Sequence, residues 1–363
     1  MVFGFIKRFF SSSRPKNQIL SKEKDAGIEH ELPQAPAIKP TIDATPSDCD
    51  YLSLATSFND FLLGDQQSPN SQPANELEIY IINSLESMLD GEIPDSAVPR
   101  LPEVAMALLK QLADADITPE IIMSYINRDP ALASEVLNMS NSALFRVNGQ
   151  EKIVNLEKAL VLLGLNNLKT IVSSALMKRL LVIAPIYFRM FGQHLWQHSL
   201  DCGQACRALA KYYGQCDHNN AYLVGLMHDV GKLAIFGLLT KALGQHLDYK
   251  PRGSVFSGIV RDHSQALSVR IAEKWGLPEY LITALSEQLG EHALGDCSIY
   301  GFILNQANIL AEFKAIAEKA VKTGQTFDSL LEQYSIPLHL FMEAYPDEYH
   351  ALNTSESINE QTA

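Results

Sequence analysis

Apolar residues recur at helical spacing through most of the chain, beginning with residues 76–90. Within that segment Leu77, Ile81 and Leu85 lie four positions apart, so they share one face of a helix. The same spacing returns in successive segments of about 10 to 20 residues, and no segment alternates with the period of two that strands require. The pattern predicts an all-α protein whose helices pack ridge into groove.

Turn and capping residues indicate where these helices begin and end. Asp129 precedes Pro130, which predicts a helix start with an aspartate cap and a proline in the first turn. Gly164 is the predicted stop of a later helix. A third start is predicted at Asn219 or Asn220, each of which has a capping side chain.

The first 75 residues differ from the rest in composition. They contain seven of the chain's 17 prolines among many Ser, Gln, Asn and Asp residues, and this composition buries too little apolar surface to offset the entropy of ordering. We predict a disordered tether over residues 1–75, with one short helix at Tyr51–Leu63 that docks on another surface. Residues 1–10, MVFGFIKRFF, form a short amphipathic segment, for which we expect weak contact with a membrane surface or docking on the protein or a partner.

The remaining chain divides into one helical body and a tail. We expect an N-terminal lobe at about residues 76–185, a second lobe at about 186–350 and a disordered polar tail at 351–363. No run reaches the roughly 18 to 20 consecutive apolar residues of a membrane-spanning helix. The sequence therefore predicts a two-lobed helical bundle behind a tether.

Composition limits the classes of function. Lys and Arg number 29 against 42 Asp and Glu, and the formal net charge of −13 argues against general nucleic-acid binding, which requires clustered basic residues. Five scattered cysteines suggest no disulfide framework. We therefore expect a reducing compartment and a cytoplasmic protein.

The string LVGLMHDVGKLAIF at residues 223–236 carries the most informative chemistry. His228 and Asp229 are adjacent on a predicted apolar helix, and a buried pair of this kind needs hydrogen bonds, an ion partner or a metal. Gly231 allows close approach of a second helix. Lys232 has the charge to meet a phosphate oxygen.

Two further histidines flank this string. His198 lies upstream and His263 downstream, and imidazole and carboxylate groups together suit a transition-metal ion. Cys202 and Cys206 follow His198 at helical spacing, so the trio is either a zinc site or a simple helix interface. The lack of a second cysteine pair favours the interface.

These residues stand in an order that resembles the HD superfamily of metal-dependent phosphohydrolases. The chain is more closely similar to its HDOD branch, the HD-related output domain of bacterial signalling proteins, from about Leu101 to about Leu289. The matching blocks are Leu101–Val104, Asn127–Leu132, Asn141–Ala143, Ala159–Gly164, Trp196–Ser199 and His228–Leu233. The resemblance implies that His198, His228, Asp229 and His263 correspond to metal ligands of the superfamily.

The resemblance to catalytic members is incomplete at two places. Relatives resembling the cyclic-dinucleotide phosphodiesterases carry a His-His pair where this chain has Gln288 within the run Ser286–Leu289. Their late aspartate corresponds to Asn308, so a neutral amide replaces a carboxylate. Two-metal hydrolysis needs anionic ligands that hold the cations and favour bound hydroxide. Both losses therefore weaken the implied metal site.

Two functions follow from this resemblance. The first is a non-catalytic signalling module of the HDOD type that binds a protein partner or a small signal molecule, with no cofactor. Such a module would retain a vestigial site made of His198, His228, Asp229, Lys232 and His263. The alternative is a phosphohydrolase acting on nucleotides or cyclic dinucleotides, in which the three histidines and Asp229 hold a single divalent metal and Lys232 steadies the phosphate.

Overall fold

The described part of the chain folds into α-helices joined by turns, and none of its residues lies in a strand. This computed structural model describes residues 51–63, 75–95, 97–99, 101–114, 116–145, 152–180, 189–245, 253–289 and 296–359. The helices are α1 (Tyr51–Leu63), α2 (Glu76–Asp90), α3 (Glu103–Leu112), α4 (Pro119–Ile126), α5 (Pro130–Ser140), α6 (Leu156–Leu180), α7 (Arg189–Tyr213), α8 (His218–Met227), α9 (Val230–Gln245), α10 (Gly253–Lys274), α11 (Glu279–Ser286), α12 (Ile299–Lys322), α13 (Phe327–Gln333), α14 (Leu338–Ala344) and α15 (Pro346–Asn359). The predicted all-α class is confirmed. The predictions for residues 1–50 and 64–74 of the tether, including the segment 1–10, lie outside the described residues.

Helices α3 to α6 pack against one another in the N-terminal lobe. The start predicted at Asp129 is confirmed, because its carboxylate accepts a hydrogen bond from the backbone N–H of Leu132 in the first turn of α5. Gly164, at φ 76°, interrupts α6 at the predicted helix end, a backbone conformation that favours glycine. Beyond this kink α6 packs on α8, where Ser174 and Tyr222 share a hydrogen bond of 2.6 Å.

Helix α2 packs on α9 and α10, although the sequence placed residues 76–90 in the N-terminal lobe. Its predicted apolar stripe, represented by Leu77, Ile81 and Leu85, is fully buried. The Asn75 side chain caps the helix in a reciprocal capping box with the third residue of the first turn. The apolar face of α2 therefore covers the helices that follow the His-Asp string.

Helix α7 lies at the centre of the second lobe, where α8, α12 and α14 pack against it. Its close contact with α8 requires Gly225, because a Cβ there would lie 2.6 Å from the Cys202 carbonyl oxygen and 2.7 Å from the Cys206 sulfur. Both cysteines are buried thiols in this interface. Among the described residues they do not belong to the group of potential metal ligands, which agrees with the packing interpretation.

Two helix ends differ from the sequence prediction. Asp217 caps α8 instead of Asn219 or Asn220, because its side chain accepts hydrogen bonds from the backbone N–H groups of both asparagines. Helix α15 continues to Asn359 into the segment predicted as a disordered tail. The run after Pro346 contains neither glycine nor another proline to end a helix.

Tyr51–Leu63 forms the short docked helix that the sequence predicted inside the tether. On its inner face Leu54, Phe58 and Leu62 are at most 2% exposed, and α1 packs on α7, α10 and α12. Because its apolar face is buried in the second lobe, this part of the predicted tether belongs to the folded body.

Among the described residues, two helical stretches are long and apolar enough by composition to span a membrane, although the sequence contains no run of roughly 18 to 20 consecutive apolar residues. They are Leu156–Leu180 and His218–Leu243. However, 56% of the first apolar window and 89% of the second are buried inside the protein. Helices in the core of soluble proteins pass the same test, because their apolar side chains are covered by other helices.

Candidate functional site

His228 and Asp229 lie in the turn between α8 and α9, because α8 ends at Met227 and α9 begins at Val230. The sequence placed both residues inside one helix, where adjacent side chains diverge by about 100°. The turn instead lets both side chains reach the same point, with His228 Nε2 3.3 Å from Asp229 Oδ2. The break between the helices therefore creates the site.

Gly231 allows the first turn of α9 to contact the backbone of α10, as the sequence predicted. A Cβ at this position would lie 2.0 Å from the carbonyl oxygen of Ser264. The Gly231 N–H also donates a 2.8 Å hydrogen bond to Ser268 Oγ. This contact fixes the His-Asp turn against α10.

Three predicted site residues meet in one buried cluster. His198 on α7 contacts His228 with an Nε2–Nε2 distance of 3.1 Å, and each Nε2 lies 3.3 Å from Asp229 Oδ2. A tetrahedral or octahedral ion with bonds of about 2.0 to 2.2 Å separates its ligands by about 3.0 to 3.5 Å. The three side chains thus fit one face of a single divalent ion in spacing and ligand type. His263 on α10 is not a member of this group.

The pKa values of the two histidines are shifted in opposite directions. Burial lowers the pKa of His198 to about 4. Burial opposes the charge of His228 as well, but the Asp229 carboxylate outweighs it and raises the pKa of His228 to about 9. Burial also favours the neutral form of Asp229, yet the charges of His228 and Lys232 hold its pKa well below the usual range.

Hydrogen bonds orient the His228 ring within the cluster. His228 Nδ1–H donates to the carbonyl oxygen of Gly225 at 2.7 Å, which leaves its Nε2 facing His198 and Asp229. His198 Nδ1 is buried and has no hydrogen-bond partner. A metal ion would displace the proton from His228 Nε2, so metal and proton compete for the cluster.

Lys232, in the first turn of α9, completes the cluster. Its Nζ lies 2.7 Å from Asp229 Oδ2, the same oxygen that faces both histidines. Only 7% of the residue is exposed, and the ammonium also lies 5.3 Å from the centre of the Phe58 ring. The lysine therefore neutralises the carboxylate without an ion from solvent.

A cavity of about 160 Å³ borders the cluster between α1, α9, α10 and α12. Gln288 and Asn308, the two positions where the resemblance implied lost ligands, both line it, together with Asp229 and Arg261. Gln288 donates hydrogen bonds to backbone carbonyls of α11 and α12. Both amides are thus close to the cluster without supplying a charge to it.

Glu312 is a residue of this cavity that the sequence analysis missed. It is 4% exposed, and its Oε1 accepts a 3.1 Å hydrogen bond from the Asn308 amide one turn earlier. Its Oε2 and the Asn308 Oδ1 are buried without a hydrogen-bond partner. Burial raises the pKa of this carboxyl to about 7. The sequence signal for Glu312 was a charged residue within a mostly apolar helix, four positions after Asn308 and therefore on the same face.

Helix α1 forms the remaining wall, and the sequence did not place it at the site. The Phe58 ring lies 4.4 Å from the His198 ring between centroids. One turn on, Phe61 stacks on His194 at 4.3 Å with an interplanar angle of 15°. Asn59 lines the cavity. Nothing in the spacing of a 13-residue helix predicts which surface it covers.

The comparisons with known proteins give the family. The family model of the HDOD domain matches residues 98–289, just over half of the 363-residue chain. The chain belongs to the HDOD domain family, as the sequence resemblance indicated. A protein of Treponema pallidum (strain Nichols), described as uncharacterized, is 24% identical over 194 residues, which cover 52% of this chain and 37% of that protein.

Solved structures share the fold at low sequence identity. One from Shewanella amazonensis SB2B, named as a candidate metal-dependent phosphohydrolase, has a TM-score of 0.52 at 20% identity over 77% of this chain and 99% of that chain. An HDOD domain protein from Geobacter sulfurreducens has a TM-score of 0.50 at 17% identity over 79% of this chain and 95% of that chain. At such identities the likeness shows the fold alone.

Proposed function

We propose that this chain is a non-catalytic regulatory module of cytoplasmic signal transduction, which binds a protein partner or a small signal molecule beside its His-Asp cluster. The observation that carries the proposal is the 2.7 Å contact between Lys232 Nζ and Asp229 Oδ2. A cation entering the three-ligand face would lie beside this ammonium, and repulsion between the two charges weakens metal binding.

The surroundings of the cluster support the same conclusion. A hydrolytic metal centre gains from anionic ligands, which hold the ions and stabilise bound hydroxide. Here Gln288 and Asn308 supply neutral amides at the cavity wall, and the added carboxyl of Glu312 has a pKa raised by burial to about 7. The donor set therefore favours a bound ligand with polar groups over a reaction that needs two cations.

The decisive experiment is a hydrolysis assay on the full chain. We expect bis(p-nitrophenyl) phosphate with Mn²⁺ to be hydrolysed no faster than by Mn²⁺ alone, and equally slowly in wild type and His228→Ala. Hydrolysis by the wild type that disappears in His228→Ala would overturn the proposal. Far-ultraviolet circular dichroism of both proteins checks that the comparison is between folded chains.

A second candidate function rests on the triangle formed by His198, His228 and Asp229. Its edges of 3.1 and 3.3 Å fit a single divalent ion, which would polarise a phosphoryl oxygen when bound.

The two candidates differ in their response to Lys232→Met. If the Lys232 ammonium only repels an ion bound at the three-ligand face, the variant binds Co²⁺ about tenfold more tightly and gains no hydrolysis. If Lys232 steadies a phosphate, the variant loses hydrolysis that the wild type has. Lys241→Met, on an exposed position of α9, is the matched control.

A further inference from the structure

Helix α1 is seated directly over the His-Asp cluster. Phe58 contacts both the His198 ring, at 4.4 Å, and the Lys232 ammonium, at 5.3 Å. Asn59 and Ala55 of α1 line the cavity together with Glu312 of α12. In this position Phe58 of α1 covers the His198 ring, which is 2% exposed.

This helix lies outside the segment that the family model matches. The matched segment begins at residue 98, whereas α1 ends at Leu63. Helix α1 therefore contacts the site from outside the matched segment. Helix α1 can leave its groove without unfolding the helices below it, because its contacts are with the surfaces of α7, α10 and α12.

The docked position leaves polar atoms unpaired. Asn59 Oδ1 is buried without a hydrogen-bond partner, as are Asn308 Oδ1 and Glu312 Oε2 on α12. A buried acceptor without a partner costs free energy that burial of apolar side chains must offset. Burial of the apolar face of α1 favours docking, whereas the unpaired amide oxygen of Asn59 opposes it. The docked position of α1 is therefore less stable than its aromatic contacts alone would make it.

We propose that α1 is a reversible cover, an intrachain ligand of the groove between α7, α10 and α12, and that its release exposes the His-Asp cluster and the adjoining cavity. The occupant is the chain's own Tyr51–Leu63 segment, held by the aromatic pair Phe58 and Phe61. The inference concerns access to the site and holds whether the site binds a ligand or performs hydrolysis. Input to the N-terminal region would thereby control the site.

The test measures the reactivity of His198 toward diethyl pyrocarbonate in the full chain, by peptide mass spectrometry. The decisive variant is Phe61→Ala, because Phe61 stacks on His194 and leaves Phe58 in place over His198. Loosening α1 should raise the modification rate of His198 by about tenfold or more through more frequent local opening. The rate at His263, which is outside the cluster, should stay within about twofold.

Two control variants make the result decisive. Asp60→Ala changes the exposed face of α1 and should leave His198 at the wild-type rate. Leu137→Ala on α5 lowers global stability away from α1, so it separates local opening from global unfolding. If Phe61→Ala leaves the His198 rate unchanged, or if Leu137→Ala raises it equally at matched stability, α1 is a permanent part of the core and the proposal is wrong.

Hydrogen exchange gives a second readout in the wild type, where the amides of α1 should exchange at least about tenfold faster than those of α7.

Discussion

Two buried clusters of charge lie on α7 and its neighbours, and they are built differently. In the first, Asp229 contacts Lys232 at 2.7 Å beside two histidines. In the second, Asp201 on α7 contacts Lys314 on α12 at 3.0 Å. Both lysines are at most 7% exposed, so burial alone does not distinguish the clusters.

The difference lies in the unpaired atoms. Asp201 also accepts a hydrogen bond from Gln197 at 3.0 Å, and Lys314 also contacts Glu318 and Glu348, each at 3.4 Å. Within the described structure, no buried side-chain atom of this second cluster lacks a partner. The first cluster instead adjoins a cavity and the unpaired oxygens described above. A saturated cluster holds helices together, whereas an unsaturated one facing a cavity retains the capacity to bind.

The largest expected effect is at the saturated cluster. Lys314→Met leaves Asp201 buried without a cation, and we expect a loss of about 3 kcal/mol in the free energy of unfolding at pH 8. Burial raises the pKa of Asp201 to about 6 even beside Lys314, so the carboxyl is already protonated at pH 5 and the loss should be smaller there. Urea unfolding at both pH values measures the difference.

The matched control for this experiment is Lys322→Met, on an exposed position of the same helix. We expect it to change stability by less than about 0.5 kcal/mol at either pH. Equal losses for Lys314→Met and Lys322→Met would show that the Asp201 cluster does not hold α7 and α12 together.

A smaller change in the free energy of unfolding, opposite in sign to that of Lys314→Met, is expected when Glu312 in the cavity is replaced. Burial raises the pKa of Glu312 from 4.5 to about 7, so the folded state binds a proton more tightly than the unfolded state. Stability therefore falls as pH rises from about 4.5 through about 7. Glu312→Gln removes this titration and should stabilise the protein by about 2 kcal/mol at pH 8, with little change at pH 4.

Chemical unfolding across this pH range, compared with that of Glu332→Gln, provides the measurement. Glu332 is exposed, so its replacement should not alter the pH profile. A Glu312→Gln profile parallel to that of the wild type would show that the carboxyl is not held in its protonated form by the cavity.

The fold could be predicted from local patterns because helices depend on local periodicity. The stripe at Leu77, Ile81 and Leu85 and the cap at Asp129 were found because each signal lies within a few residues. The cap of α8 was assigned to the wrong residue, since Asp217, Asn219 and Asn220 are all competent caps and only the backbone decides among them.

The candidate site was only partly predictable. Sequence order identified His198, His228 and Asp229, but their convergence depends on the break between α8 and α9. Two contributions come from distant parts of the chain and carry no local signal of their destination: Glu312 on α12 and Phe58 on α1. Packing between helices, which periodicity does not specify, decides which of these side chains meet.

The smallest predicted effect concerns a third ion pair. It is paired as closely as the two buried clusters but is more exposed, so it tests whether pairing or burial determines the strength of such contacts. Asp129 and Arg179 form a bidentate contact of 2.5 and 2.9 Å, but their side chains are 20% and 22% exposed. The Arg179 guanidinium lowers the pKa of Asp129 to about 2, so the pair stabilises the protein above about pH 4 and loses this effect as pH falls toward 2.

Because asparagine keeps the helix cap, Asp129→Asn should cost only about 1 kcal/mol at pH 7 after screening by solvent. The difference from wild type in urea unfolding should narrow below pH 4, whereas exposed Glu120→Gln on α4 should show no such trend. A loss as large as that of Lys314→Met would mean that pairing, and not burial, sets the strength of all three contacts.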